Sequence, residues 1–218
     1  MRNIHGNDNE PADDLPDAWS LMQWINEEMR ELAPNNLAIA EDLKSNAWLV
    51  KDTGAGGAGF GSQWDVGFVH PVRAALTTSD DAARDMNAVE QTLTFNFDGD
   101  VFKRVIYTES HDEVANGKTR VPEEIWPGNG QSWYSRKRST LGAVLVFTAP
   151  GIPMIFQGQE FLEDKWFSDT APLDWDLTKE EGGIVFLYRD LMHLRRNLRE
   201  TTRGLTGQHI NVYHMDQK

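Results

Sequence analysis

Apolar residues at Leu21, Met22, Ile25, Met29 and Leu32 recur at the 3.6-residue period of an amphipathic helix that starts at Pro16 or Asp17 and is stopped by Pro34. Next comes Leu37 Ala38 Ile39 Ala40, an apolar run without alternation, as expected of a strand buried on both faces of a parallel sheet. It gives way at once to Glu41 and Asp42. The same grammar returns at Val105 Ile106 Tyr107 Thr108, followed by Glu109 Ser110 His111 Asp112, and at Ile152 Pro153 Met154 Ile155 Phe156, followed by Gln157 Gly158 Gln159 Glu160. A fourth strand is placed near Gly61 Ser62 Gln63 Trp64. Helical spacing is carried by Leu141, Val144, Leu145 and Thr148, and again by Ile184, Leu187, Leu191, Leu194 and Leu198. Strands and helices alternate, which predicts an α/β fold of βα units around a parallel sheet, with function at the carboxyl ends of the strands.

Composition narrows the classes of function. The 218 residues carry a net charge of −13 and no Cys. An acidic chain repels phosphate backbones and anionic bilayers, so neither nucleic acid nor membrane is an expected partner. Disulfides and thiolate metal sites are excluded. No apolar run reaches the length of a spanning helix, and the start, MRNIHGNDNEP, lacks the apolar stretch of a secretory signal, so a soluble, cytoplasmic protein is expected. The segment from Ile210 to Met215 reads as a strand with no partner after it.

Two carboxylates draw attention. Glu41 and Asp112 follow separate buried strands and are expected to converge over one end of the sheet. There one can be held protonated while another stays ionised, the division of labour that glycosidic cleavage through an oxocarbenium-like state needs. The plainer alternative makes each a cap of the turn behind it, and His111 a loop residue satisfied by backbone. Gly54 Ala55 Gly56 Gly57 Ala58 Gly59 fits the spacing G-x-G-x-x-G, but Phe60 to Trp64 and then Pro71 follow where a helix should open, so a flexible loop over the sheet end is expected and no nucleotide cofactor. The six His are scattered, and the pair His209 and His214 suits neither a strand face nor a helix face, so no metal is expected. Trp126, Trp133, Trp166 and Trp175 fall in loops or near helix ends, where they could cover sugar faces or loop bases.

Three segments together, Ala38 Ile39 Ala40 Glu41 Asp42, Tyr107 Thr108 Glu109 Ser110 His111 Asp112 Glu113, and Gly151 to Phe161 with its Gln157 Gly158 Gln159 Glu160 Phe161 ending, resemble in order and spacing the α-amylase superfamily, glycoside hydrolase family 13. Their form is most similar to its 1,4-α-glucan branching enzymes. The resemblance implies the second half of a (β/α)8 TIM barrel, strands five to eight, over residues 1–204, and the first strand of a truncated C-terminal β-sandwich over 205–218. It implies a retaining α-1,4-glucan-acting enzyme of branching or amylase type. Glu41 would be the general acid/base after the fifth strand and Asp112 the transition-state-stabilising carboxylate after the seventh, while His111 would contact the sugar at the cleavage point. In the family the nucleophilic Asp, with a neighbouring Arg, lies just upstream of a segment similar to Met1 to Asn7. The chain as given is therefore expected to be inactive alone, because no glycosyl-enzyme intermediate can form without it. Half a barrel also leaves strand edges and inner side chains uncovered, so self-association is expected. Two other readings stay open: a non-catalytic glucan-binding or interaction protein on a degenerate barrel, and a truncated reading frame.

Overall fold

The computed structural model describes residues 15–115 and 117–216, which gather into two units. One is formed by residues up to Trp64 together with Asn96–Arg104, the other by Asp65–Phe95 and the residues from Val105 on.

In the first unit, α1 (Pro16–Leu32) has Pro16 at its first position, where the missing N–H costs no helical bond, and Asp17 in the first turn, where a negative charge suits the helix dipole. The helix ends two residues before Pro34, as its spacing predicts. Its inward face differs from the predicted one. Trp19, Met22 and Asn26 face the unit, whereas Leu21, Ile25 and Leu32 are exposed. Three polar groups decide this. Trp19 Nε1, Gln23 Nε2 and Asn26 Nδ2 donate to the carbonyls of Gly56, Gly57 and Ala58 at 3.1, 2.8 and 2.8 Å. These bonds fasten the glycine cluster, with backbone bonds from Ala58 N–H to Trp48 O and Gly59 N–H to Lys51 O. The expectation of a flexible loop there is corrected: Ala58 is fully buried and its neighbours are held from both sides. The strands β1 (Ile39–Ala40) and β2 (Ser62–Trp64) pair in parallel, Ile39 with Ser62 and Ala40 with Gln63.

The second unit carries most of the helices. After α2 (Val66–Thr77) and α3 (Met86–Thr94), the strand β3 (Arg104–Ile106) leads to the short helices α4 (His111–Val114) and α5 (Val121–Ile125), and then to α6 (Trp133–Thr148). The strand β4 (Ile152–Pro153), a one-turn helix α7 (Leu177–Glu180) and α8 (Gly182–Arg195) follow. β3 and β4 are parallel, Val105 opposite Ile152 and Ile106 opposite Pro153, and Met154 N–H extends the ladder to Ile106 O at 2.9 Å. The fold is thus α/β with parallel strand pairs, as expected. The core gathers Phe68, Val72 and Leu76 of α2, Ile106 of β3, Ala143, Val146 and Phe147 of α6, and Ile184, Tyr188 and Leu191 of α8. α2 and α6 approach closely at Gly142, where any Cβ would sit 2.6 Å from Leu76 Cδ1. That contact turns Gly142, Ala143, Val146 and Phe147 inward and leaves Leu141 exposed, against the predicted face.

Pro71 was expected to interrupt this region, yet it lies inside α2. A proline cannot donate to the carbonyl four residues back. Here that carbonyl, Gly67 O, is taken up by the Thr92 hydroxyl of α3 at 2.8 Å. The strand expected from Ile210 is not formed: residues 209–216 have no regular structure, since a strand needs a neighbouring ladder.

Candidate active site

Each predicted carboxylate follows a strand directly or through a short loop. Glu41 is the residue after β1 in the first unit and is exposed. Beside it, the Asp42 carboxylate accepts from Asn46 N–H at 2.9 Å and so fixes the turn that leaves the strand. Parallel pairing with β2 holds the strand end, and Gln63, fully buried on β2, donates from Nε2 to Asn46 O at 3.2 Å.

In the second unit, β3 delivers Tyr107, Thr108, Glu109 and Ser110 into buried positions, and the chain surfaces at α4. His111 and Asp112 open that turn, with His111 Nε2 3.5 Å from Asp112 Oδ1 and side chains 48% and 37% exposed. They are accessible to a ligand while the residues before them are not.

The apparatus under that turn escaped the sequence. Glu109 and Arg120, each 1% exposed, form an ion pair at 3.2 Å. Glu109 Oε1 accepts from Val121 N–H at 2.6 Å, and Arg120 donates to Gln157 O at 2.8 Å and Lys165 O at 3.0 Å. The Arg120 guanidinium also lies over the Phe156 ring at 5.1 Å. One buried arginine thereby ties the segment after β3 to the segment after β4. Burial pushes the Glu109 carboxyl above its usual range, opposed by Arg120, by Val121 N–H and by Arg73. Arg73 of α2 adds a second tie, donating to Thr108 O and Thr119 O, both at 2.9 Å, and to Glu124. Gln159 Nε2 reaches Thr108 Oγ1 at 2.9 Å, which joins the Gln157 to Phe161 motif to the same frame. Within that motif Gly158 adopts φ +93°, and a Cβ there would lie 2.7 Å from Glu163 Cβ, so glycine is required. No apolar period marks Glu109, Arg120 or Arg73. A charged residue reads as solvated until its partners are known.

Trp126, Trp133, Trp166 and Trp175 are all exposed, with Trp133 at the N-terminal end of α6. Among the described residues no helix is long and apolar enough to cross a membrane.

No family model matches the chain. Among characterised proteins it is similar to the 1,4-alpha-glucan branching enzyme GlgB 1 of Xanthomonas campestris pv. campestris (strain 8004), 32% identical over 179 residues, which is 80% of this chain and 24% of that enzyme. It is 31% identical to the 1,4-alpha-glucan branching enzyme GlgB of Vibrio cholerae serotype O1 over 180 residues, 82% of this chain and 24% of the other. The chain thus spans about a quarter of the length of the curated relatives it matches. Among solved structures it is similar to the pullulanase of Anoxybacillus sp. LM18-11 crystallised with maltotetraose, at TM-score 0.61 and 20% identity over 81% of this chain and 29% of that one. The apo pullulanase of Paenibacillus barengoltzii matches at TM-score 0.59, with 20% identity over 82% of this chain and 31% of the other. At that identity the likeness to both pullulanases is one of fold.

Proposed function

We propose, on the premise that this chain is a relative of the α-amylase superfamily, glycoside hydrolase family 13, that it supplies two of the three carboxylates of a retaining α-1,4-glucan-acting enzyme of branching or amylase type. Glu41 is the general acid that protonates the glycosidic oxygen as the bond to the anomeric carbon breaks. It then takes the proton from the incoming hydroxyl, of water in a hydrolase or of a glucan 6-position in a branching enzyme. Asp112 stabilises the positive charge that develops on the sugar ring, and His111 donates a hydrogen bond to a hydroxyl of the sugar being cleaved. The observation that carries this reading is the placement of the motif residues: Glu41 directly after β1, and His111 and Asp112 exposed on a turn whose base is locked by Glu109 and Arg120.

On this reading residues 1–204 are the second half of a (β/α)8 barrel. The test is complementation. Alone, the chain is expected to leave amylose unchanged, and mixing it with a polypeptide carrying the first four βα units of a branching enzyme should restore turnover that disappears in Glu41→Gln and in Asp112→Asn. Turnover that survives both substitutions would refute the assignment.

A further inference from the structure

A cleft of about 470 Å³ opens in the second unit between α2 and the segment that follows α4. One wall carries His70, Thr77 and Thr78, the other Glu113, Lys118 and Thr119. The volume lies within the range of small-molecule sites, which is about 300 to 1,000 Å³.

The chemistry of the lining is selective. Arg73 and Glu124, also on the wall, neutralise each other as an ion pair, and Lys118 offsets Glu113, so the acidic and basic side chains of the cleft balance two against two. An anion would meet two carboxylates there and a cation two basic side chains. A neutral ligand meets neither penalty. Glu113 supplies the second observation. Its side chain is only 12% exposed, yet its ionic partner Lys118 Nζ stands 3.9 Å away, beyond hydrogen-bond reach. A carboxylate so nearly buried favours donors aimed at it. Hydroxyl groups on Thr77, Thr78 and Thr119 and the imidazole of His70 add groups that both give and accept hydrogen bonds.

We infer that this cleft binds a neutral polyhydroxylated ligand, a short stretch of α-glucan, through its hydroxyl edges. The inference rests on the glucan-acting reading above and extends it. Glu113 sits on α4 directly after His111 and Asp112, so a sugar chain engaged by those two continues along the turn into the cleft. The cleft then acts as a hold on the chain away from the point of cleavage, which gives the protein a preference for oligosaccharides over single sugars.

Maltotetraose titrated into the isotopically labelled chain, followed by amide chemical shifts, tests this. Shifts are expected at residues 70–78 and 117–119 in addition to 108–112. Loss of the Glu113 acceptor in Glu113→Ala should weaken binding roughly ten-fold, the ratio that one charge-assisted hydrogen bond represents. Lys118→Ala, at a half-exposed position that leaves the fold intact, should weaken it in the same direction, whereas Asp112→Asn should leave the shifts at 70–78 in place. Shifts confined to 108–112 would overturn the cleft and leave the glucan reading standing. No shift anywhere would remove the glucan reading and the cleft with it. Inorganic phosphate shifting 70–78 as strongly as maltotetraose would show an anion site and overturn the inference.

Discussion

Arg120 Nη1 stands 3.2 Å from Glu109 Oε2 with both side chains 1% exposed, beneath a turn whose His111 and Asp112 are open to solvent. A fully buried ion pair is a poor source of net stability, because desolvation offsets its attraction, but it is a strong source of position. Two strand-end segments that share no regular structure are fixed relative to each other by one guanidinium that satisfies a carboxylate and two carbonyls.

Removing one partner should therefore be costly. Arg120→Met is expected to lower the stability of the second unit by about 3 to 5 kcal/mol at pH 7, since it leaves the Glu109 carboxylate buried without its counter-charge. Urea unfolding followed by circular dichroism measures this. Because burial already raises the Glu109 pKa, the lost stability should shrink as the pH falls and the carboxyl takes up a proton. A loss that is the same at pH 5 and pH 8 would contradict the account.

The Thr92 hydroxyl on Gly67 O makes a coupled prediction. Thr92→Val is expected to cost about 1 kcal/mol, the typical net contribution of one hydrogen bond. In a Pro71→Ala background the new N–H at position 71 can reach Gly67 O, so the same Thr92→Val change should cost clearly less. A double-mutant cycle on the urea midpoints reads the coupling, and additive effects would show that the hydroxyl does not replace the missing helical bond.

Asp164 gives a signed pH dependence. Burial raises its pKa above the usual value, and the charges of Glu163 and Glu123 push in the same direction. A raised folded value means that its contribution is complete below the unfolded pKa of about 3.9 and is lost as the pH climbs through the folded value. Asp98 in the first unit runs the other way, since the hydrogen bond and charge of Lys103 lower its pKa. Its contribution is present above about 3.9 and disappears as the pH drops through its folded value. Asp164→Asn should therefore flatten the rise in stability on going from pH 7 toward pH 4.5, which thermal melts across that range would detect.

The apolar stripe of α1 is the fourth test. Leu21, Ile25 and Leu32 are 50%, 53% and 81% exposed, and Trp24 beside them 61%. Apolar surface left open in this way marks an interaction face. Light scattering is expected to show association that grows with concentration and is suppressed by the pair Leu21→Glu and Ile25→Glu, without loss of helix content. An unchanged oligomer in the double variant would place the association elsewhere.

The strands were legible where apolar residues ran without alternation, and at Val105 Ile106 the expected burial on both faces holds, whereas Ile39 of β1 is exposed and Ile152 and Pro153 of β4 are only half-buried. Their lengths were not: the ladder ends with Met154 N–H on Ile106 O, although Tyr107 continues the apolar run, and a later carbonyl, Thr108 O, is taken by Arg73. α2 was missed because Pro71 reads as a breaker and nothing in the local sequence announces a donor from Thr92, 25 residues away from Gly67. The same limit applies to the inward face of α1. Gln23 and Asn26 look like solvent positions until the carbonyls of the glycine cluster lie opposite them. The motif carboxylates could be picked out in the sequence, but the charged frame that positions the turn of His111 and Asp112 could not. That frame depends on distances between loops, and sequence spacing carries no record of them.

Arg195, at the last turn of α8, donates to Ala149 O at 2.8 Å and also to Gly151 O, the carbonyls that lead into β4. The strand is thus clamped by a residue made more than forty positions later. During synthesis, β4 and the Gln157 to Phe161 motif behind it emerge before their clamp exists. The second unit can finish folding only after α8 has left the ribosome, and a nascent chain stalled before residue 195 should remain open to protease at the approach to β4.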